Sequence, residues 1–215
     1  MDTKRHWEGI YAKRRPDEVS WYQPHAVLSR TLIERAVPNR DARIVDVGGG
    51  ASMLADDLLA AGYHNLTVID LSDSALDVVR RRLGDAGDSI TFVAGDVTRR
   101  SLPPASCDVW HDRAVFHFLT DPDDRRRYLE QLKRVVIPGG VVLVATFAED
   151  GPRKCSGLEV VRYSPSELHA AFGDDFRLVE SRREEHVTPS GGTQWFNYCL
   201  CSFEPPPGPS GSPAN

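Results

Sequence analysis

The chain has 215 residues, of which 40% are hydrophobic and 27% charged, proportions that suit one α/β domain able to bury a core. Its formal net charge of -5 removes the global basic field of a nucleic-acid binder, so no nucleic-acid partner is expected. The first eight residues hold no apolar run, and no stretch reaches the roughly 20 apolar residues that cross a bilayer, so the chain reads as cytoplasmic, without a secretory signal or a membrane partner.

Residues 1–30 are polar yet carry Trp7, Tyr11, Trp21 and Tyr22, and read as one or two short helices and a loop ahead of a main domain at residues 31–204. A helix is expected over residues 27–37, stopping before Pro38. Residues 43–47 form a short buried strand that runs into Gly48-Gly49-Gly50-Ala51-Ser52 and then a helix to about Ala61, ended by Gly62. A second strand covers residues 65–70, and Ser72 or Asp73 caps the helix that follows. The third strand covers residues 90–94 and the fourth residues 107–111. Asp121 or Asp123 opens a long helix to Val136, Pro138-Gly139-Gly140 turns the chain, and residues 141–147 form the strongest strand. Then come a capped helix at 164–172 and two strands, 176–185 and 194–203, joined by a turn at 188–192. Residues 205–215 are rich in Pro, Gly and Ser and are expected to be a disordered tail.

Strands alternating with helices imply parallel βαβ units whose apolar strands are covered on both faces. The expected fold is therefore a Rossmann-like α/β domain. Its sheet is mainly parallel and seven-stranded, with helices on both faces and a C-terminal antiparallel strand pair. Cys107, Cys155, Cys199 and Cys201 form no CxxC pair, and no further ligands stand near them, so reduced thiols and no metal are expected.

The glycine loop between the first strand and its helix lets a ligand approach the backbone. A GxGxxG pattern starting at Gly48 fails at Met53, and no GK[ST] follows, which argues against pyrophosphate or phosphate binding. Asp46, two residues before the loop, would repel a pyrophosphate but suits a ligand carrying an ammonium and a sulfonium. Asp70 stands at the tip of the second strand, where an acid accepts from ribose hydroxyls. Asp96 stands at the tip of the third, where a carboxylate can accept from an adenine amino group. Each acid can also be read as a helix cap or turn residue. Three at successive strand ends beside a glycine loop favour a ligand site.

Val45-Asp46-Val47-Gly48-Gly49-Gly50, Ile69-Asp70-Leu71-Ser72, Ala94-Gly95-Asp96-Val97 and Pro138-Gly139-Gly140 together resemble the successive motifs of class I S-adenosylmethionine (SAM)-dependent methyltransferases, over about residues 40–147. The resemblance implies SAM as cofactor. Gly48 and Gly50 would then lie by its methionine part, Asp70 with Leu71 and Ser72 by the ribose, and Asp96 with Val97 by the adenine. The family's loop often carries a further glycine where this chain has Ser52, which suits a helix cap instead.

Trp7, Tyr11 and Trp21 read either as a lid stacking on a sulfonium or adenine, or as a helix pinned to the sheet by Trp7. The spacing of His6, Trp7 and Tyr11 resembles several small methyltransferases, some of which modify protein lysines. Trp110-His111-Asp112-Arg113-Ala114 resembles the matching stretch of thiopurine-type and tellurite-type methyltransferases. That likeness would put Arg113 by the SAM carboxylate or the acceptor, and His117 near the acceptor pocket. His117, His111 and Asp112 are the candidates for taking a proton from an acceptor, though each also reads as a plain hydrogen-bonding residue. Residues 151–158, with Arg162, Tyr163, Arg182 and Arg183 nearby, read as acceptor contacts or as a solvated turn.

The expected activity is methyl transfer from SAM to a small-molecule nucleophile, with a thiol as first choice. A protein-lysine or other amino-group methyltransferase is the alternative, and a protein substrate stays open. A nucleotide-binding oxidoreductase or a non-catalytic SAM binder is the alternative of another class.

Overall fold

The computed structural model describes residues 3–206. The elements are α1 (Thr3–Tyr11), α2 (Val27–Ala36), β1 (Arg43–Val47), α3 (Leu54–Ala60), β2 (Asn65–Asp70), α4 (Asp73–Leu83), β3 (Thr91–Ala94), β4 (Cys107–Arg113), α5 (Pro122–Val135), β5 (Val136–Phe147), β6 (Lys154–Cys155), β7 (Leu158–Glu159), α6 (Pro165–Ala170), β8 (Phe176–Val187) and β9 (Thr193–Phe203). The tail expected from residue 205 falls, beyond 206, outside the described residues.

Seven strands form one sheet in the order β3-β2-β1-β4-β5-β9-β8, and β6 and β7 make a separate two-stranded ribbon. The first five pair in parallel, while β9 pairs antiparallel with both β5 and β8. Successive side chains of a strand face opposite ways, so β1 feeds two cores. Ile44 joins Leu32, Ile33, Leu54 and Leu76 on the α2–α3–α4 side. Val45 and Val47 join Trp110, Tyr128, Leu132 and Leu168 on the α5–α6 side. Each such Leu, Ile or Val contributes about 1.5–3 kcal/mol by its burial.

The helix starts follow local chemistry. The Ser72 hydroxyl accepts from the Ala75 amide at 3.1 Å, and Asp121 accepts from the Asp123 amide at 2.8 Å with Pro122 at the first helical position. Ser164 and Glu167 close a capping box on α6. One expected turn is different in the structure. Pro138-Gly139-Gly140 does not separate helix from strand; it lies inside β5 as a register shift, where β4 steps from Cys107↔Val136 to Val109↔Val141. Gly139 absorbs the excursion at φ +79.

Among the described residues no helix is long and apolar enough to cross a membrane, and no His/Cys/Asp/Glu group is placed to hold a metal. All four cysteines are free and buried, with the Cys199 and Cys201 sulfurs 3.4 Å apart on one face of β9.

Candidate functional site

Strand order reverses between β1 and β4, and this opens a crevice at the carboxyl ends of the parallel strands. The glycine turn sits there. Gly48 has φ +63, and its amide donates to Ile69 O at 2.7 Å; a Cβ at this position would stand 1.9 Å from Val115 Cγ2. Gly50 has φ +47, and a Cβ there would stand 2.6 Å from the Tyr11 hydroxyl and 3.1 Å from Asp70 Oδ2. Side chains at either place would fill the cradle, so the bare backbone is what leaves it open.

Beside this turn lies a cavity of about 190 Å³. Trp7, Tyr11, Trp21, Gly48, Asp70, Leu71, Asp96, Val97 and Arg113 all line it, with Phe118, Asp124 and Cys155 from elsewhere in the chain. A neighbouring cavity of about 50 Å³ is lined by Asp46, Gly48, Gly49, Ser29 and His111. Ser72 is fully buried and spends its hydroxyl on the α4 cap rather than on the cavity.

Asp70 Oδ1 accepts from the Ser72 amide at 2.8 Å. Burial pushes its carboxyl up to about 7, with the Asp46 and Glu8 charges adding, although the Ser72 and Gly50 amides pull the other way. Asp96 accepts from the Thr98 amide at 2.8 Å and the Thr98 hydroxyl at 2.7 Å, which fixes the loop after β3.

The N-terminal segment lies across this cavity. Glu8 Oε1 accepts from the Asp73 amide at 2.7 Å, and Lys4 pairs with Asp73 at 2.9 Å, so α1 docks on the start of α4. Trp7 meets Trp21 edge-on at 5.6 Å and Phe118 at 5.2 Å, and Tyr11 meets Trp21 at 6.4 Å. Burial first, and the Asp70 charge next, raise the Tyr11 phenol, so it stays a neutral hydroxyl.

None of the three proton-acceptor candidates lines the larger cavity, although His111 lines the smaller one. Asp112 is fully buried and accepts from the Tyr128 hydroxyl at 2.7 Å, the Val115 amide at 2.8 Å and the Phe116 amide at 3.1 Å. It holds the bend after β4. His111 bridges Asp46 Oδ1 at 2.7 Å and Ser29 Oγ at 2.9 Å, so Asp46 is engaged by a histidine on the α2 side. His117 is fully buried against Phe118 and Phe147, lines neither cavity, and is pushed down to about 3 by burial and the nearby Arg113 charge. A histidine held neutral in this way is a poor proton acceptor.

Arg113 is buried over the Phe196 ring, 4.1 Å from its centroid. Its nitrogens donate to the Tyr198 hydroxyl at 2.9 Å, Trp21 O at 3.3 Å and Glu184 Oε2 at 3.2 Å. Glu184 and Tyr198 were not singled out from sequence; the only sequence cue is a tyrosine and an acid on neighbouring strands at the closing sheet edge. In the loop after β5, Cys155 reaches the cavity, its thiol pushed up to about 11 by burial. Arg162 donates instead to Gly151 O at 3.2 Å, and Arg183 stacks over Trp195.

Residues 45–144 match the family model described as a methyltransferase domain. Over 171 residues the chain is 27% identical to the eEF1A lysine and N-terminal methyltransferase of Danio rerio, covering 78% of this chain but 24% of that protein. The chain thus spans about a quarter of the length of that relative. It is 33% identical to a ubiquinone/menaquinone biosynthesis C-methyltransferase of Methylobacterium nodulans, covering 58% of this chain and 50% of that one. Among solved structures, the 1,6-didemethyltoxoflavin-N1-methyltransferase of Burkholderia thailandensis, with S-adenosylhomocysteine bound, superposes with a TM-score of 0.67 at 21% identity. That match covers 83% of this chain and 77% of the other.

Proposed function

We propose that the chain is a class I SAM-dependent methyltransferase, a reading supported by its fold and by the methyltransferase-domain match over residues 45–144, and that it moves the methyl group of SAM to a small-molecule nucleophile, a thiol in the first instance. The observation that carries the reading is the convergence of Gly48, Asp70 and Asp96 on one cavity roofed by Trp7, Tyr11 and Trp21.

Bound SAM supplies a methyl group already activated on a sulfonium. The chain's own residues bind, orient and dry it. The Gly48–Gly50 backbone leaves room for the methionine part. Asp70 accepts from ribose hydroxyls, which favours its ionised form, and Asp96 accepts at the adenine end. The aromatic roof offers ring faces to a cation and keeps water out. Orientation of this kind can supply roughly 7–11 kcal/mol of a barrier.

Some features of the cavity lining support a thiol acceptor. The lining contains no histidine, its groups able to accept a proton are the carboxyl groups of Asp70, Asp96 and Asp124, and its Cys155 thiol stays protonated at neutral pH. An ammonium would need a proton removed before it could attack, whereas a thiol ionises readily in water and attacks as the thiolate. The walls near Phe118 and Leu119 are apolar, which suits a small neutral body carrying that sulfur. A second reading, transfer to a protein amino group, is favoured by the similarity to the eEF1A lysine and N-terminal methyltransferase over most of this chain.

The test is a panel of thiols, phenols, amines and peptides assayed for S-adenosylhomocysteine release. Turnover led by thiols supports the first reading, and turnover led by peptides replaces it with the second. Asp70→Ala should weaken S-adenosylhomocysteine binding at least tenfold; an unchanged dissociation constant would reject the ribose role.

A further inference from the structure

The roof of the cavity is fastened by Arg113 and by β8 residues that lie distant in sequence from every motif. The segment that carries Trp21 has three polar ties to the sheet. Arg113 Nη1 donates to Trp21 O at 3.3 Å, Gln23 Nε2 donates to Glu184 Oε1 at 3.1 Å, and His186 Nε2 stands 2.7 Å from Ser20 O. Glu184 joins two of them, the Gln23 and Arg113 ties. Its Oε2 accepts from Arg113 Nη2 at 3.2 Å and from the Tyr198 hydroxyl at 2.9 Å, and the same hydroxyl accepts from Arg113 Nε at 2.9 Å.

The pair is well removed from water, with the Arg113 and Glu184 side chains 10% and 14% exposed. Burying two charges costs free energy that their attraction recovers only when the remaining donors and acceptors find partners. Here those partners are Tyr198 and the roof segment itself. Most of the outward residues of β8, such as Arg177, Arg182 and Arg183, are exposed, as an edge strand's charges usually are. Glu180, Glu184 and His186 are the polar residues of β8 that depart from that pattern, and of these Glu184 is the one that meets Gln23.

We infer that Glu184 is a positioning residue: through Gln23 and Arg113 it latches residues 20–23, and Trp21 with them, over the cavity. The inference rests on reading this cavity as the SAM site. A latch slows escape of the bound cofactor and keeps water from the reacting groups without touching either. It acts on dissociation more than on association.

The test uses the full chain in four forms: wild type, Glu184→Gln, Gln23→Ala and Asp70→Ala. Hydrogen exchange is followed by mass spectrometry without ligand, and S-adenosylhomocysteine dissociation is followed by stopped flow. In Glu184→Gln, amides of residues 19–25 should exchange about tenfold faster while those of β1 and β4 keep their rates, and the ligand should leave about tenfold faster. Gln23→Ala removes one tie without disturbing the buried pair and should show the same effects in smaller measure, even if Glu184→Gln folds poorly. Unchanged exchange at 19–25 in both variants overturns the latch, as does acceleration spread evenly over the sheet. Asp70→Ala should lose ligand affinity and keep wild-type exchange at 19–25. If it keeps its affinity, the cofactor reading falls, while the ligand-free exchange still decides the latch.

Discussion

Replacing Asp70 by asparagine probes the site's electrostatics in the free and the bound protein together. Asp70 is 9% exposed, and burial raises its carboxyl from 3.8 to about 7. A carboxyl whose folded value lies above its unfolded one favours the folded state while protonated. Its contribution is complete below about pH 4 and is lost as pH rises through about 7. From pH 5 the loss runs at up to about 1.4 kcal/mol per unit and flattens as pH nears 7, for about 2 kcal/mol over the interval. Asparagine does not ionise, yet it keeps an oxygen for the Ser72 amide that Asp70 accepts at 2.8 Å. Asp70→Asn should therefore gain about 2–3 kcal/mol on wild type between pH 5 and pH 8 in urea unfolding, since every other titrating group cancels in the difference. Calorimetry on the same samples should show S-adenosylhomocysteine affinity rising with pH in wild type and much reduced in the variant, because ribose hydroxyls bond best to an ionised acceptor. Parallel stability curves for the two proteins would refute the buried-carboxylate argument.

Gly48→Ala should cost about 1–3 kcal/mol in urea unfolding and weaken cofactor binding, because its Cβ would meet Val115 Cγ2 at 1.9 Å from a backbone at φ +63. Wild-type stability in that variant would show that the turn can relax. His117→Asn should leave the pH dependence of turnover unshifted, since a histidine held near 3 carries no proton in the working range. Loss of an inflection at pH 6–7 would return His117 to proton transfer. Cys155 lines the cavity, so bound S-adenosylhomocysteine should slow its alkylation; an unaltered rate would place the ligand elsewhere.

The parallel half of the sheet was readable because its strands are short apolar runs closed by glycine and aspartate, and β1 and β2 begin and end where the pattern put them. Asp46, Asp70 and Asp96 were visible as acids at strand tips, but their partners were not. Nothing local in Asp46 announces His111, which lies 65 residues away. The apolar surroundings that lower His117 include Phe118 and Phe147, again contributed by separate elements. The antiparallel edge was harder for a different reason. A register shift between Leu178 and Glu180 reverses the alternation along β8, leaving Leu178 and Val179 exposed while Glu184 and His186 turn toward the roof segment. Read by hydrophobicity alone, that strand shows its polar side to water.

The ties between the roof and the closing strands join residues 161 and 166 positions apart. The cradle needs only neighbouring βαβ units, which can assemble from nearby stretches as the chain emerges. The roof has to wait until β8 and β9 are in place, because loops of that span close late. A molecule nicked in the turn between β8 and β9 should hold its ligand only briefly.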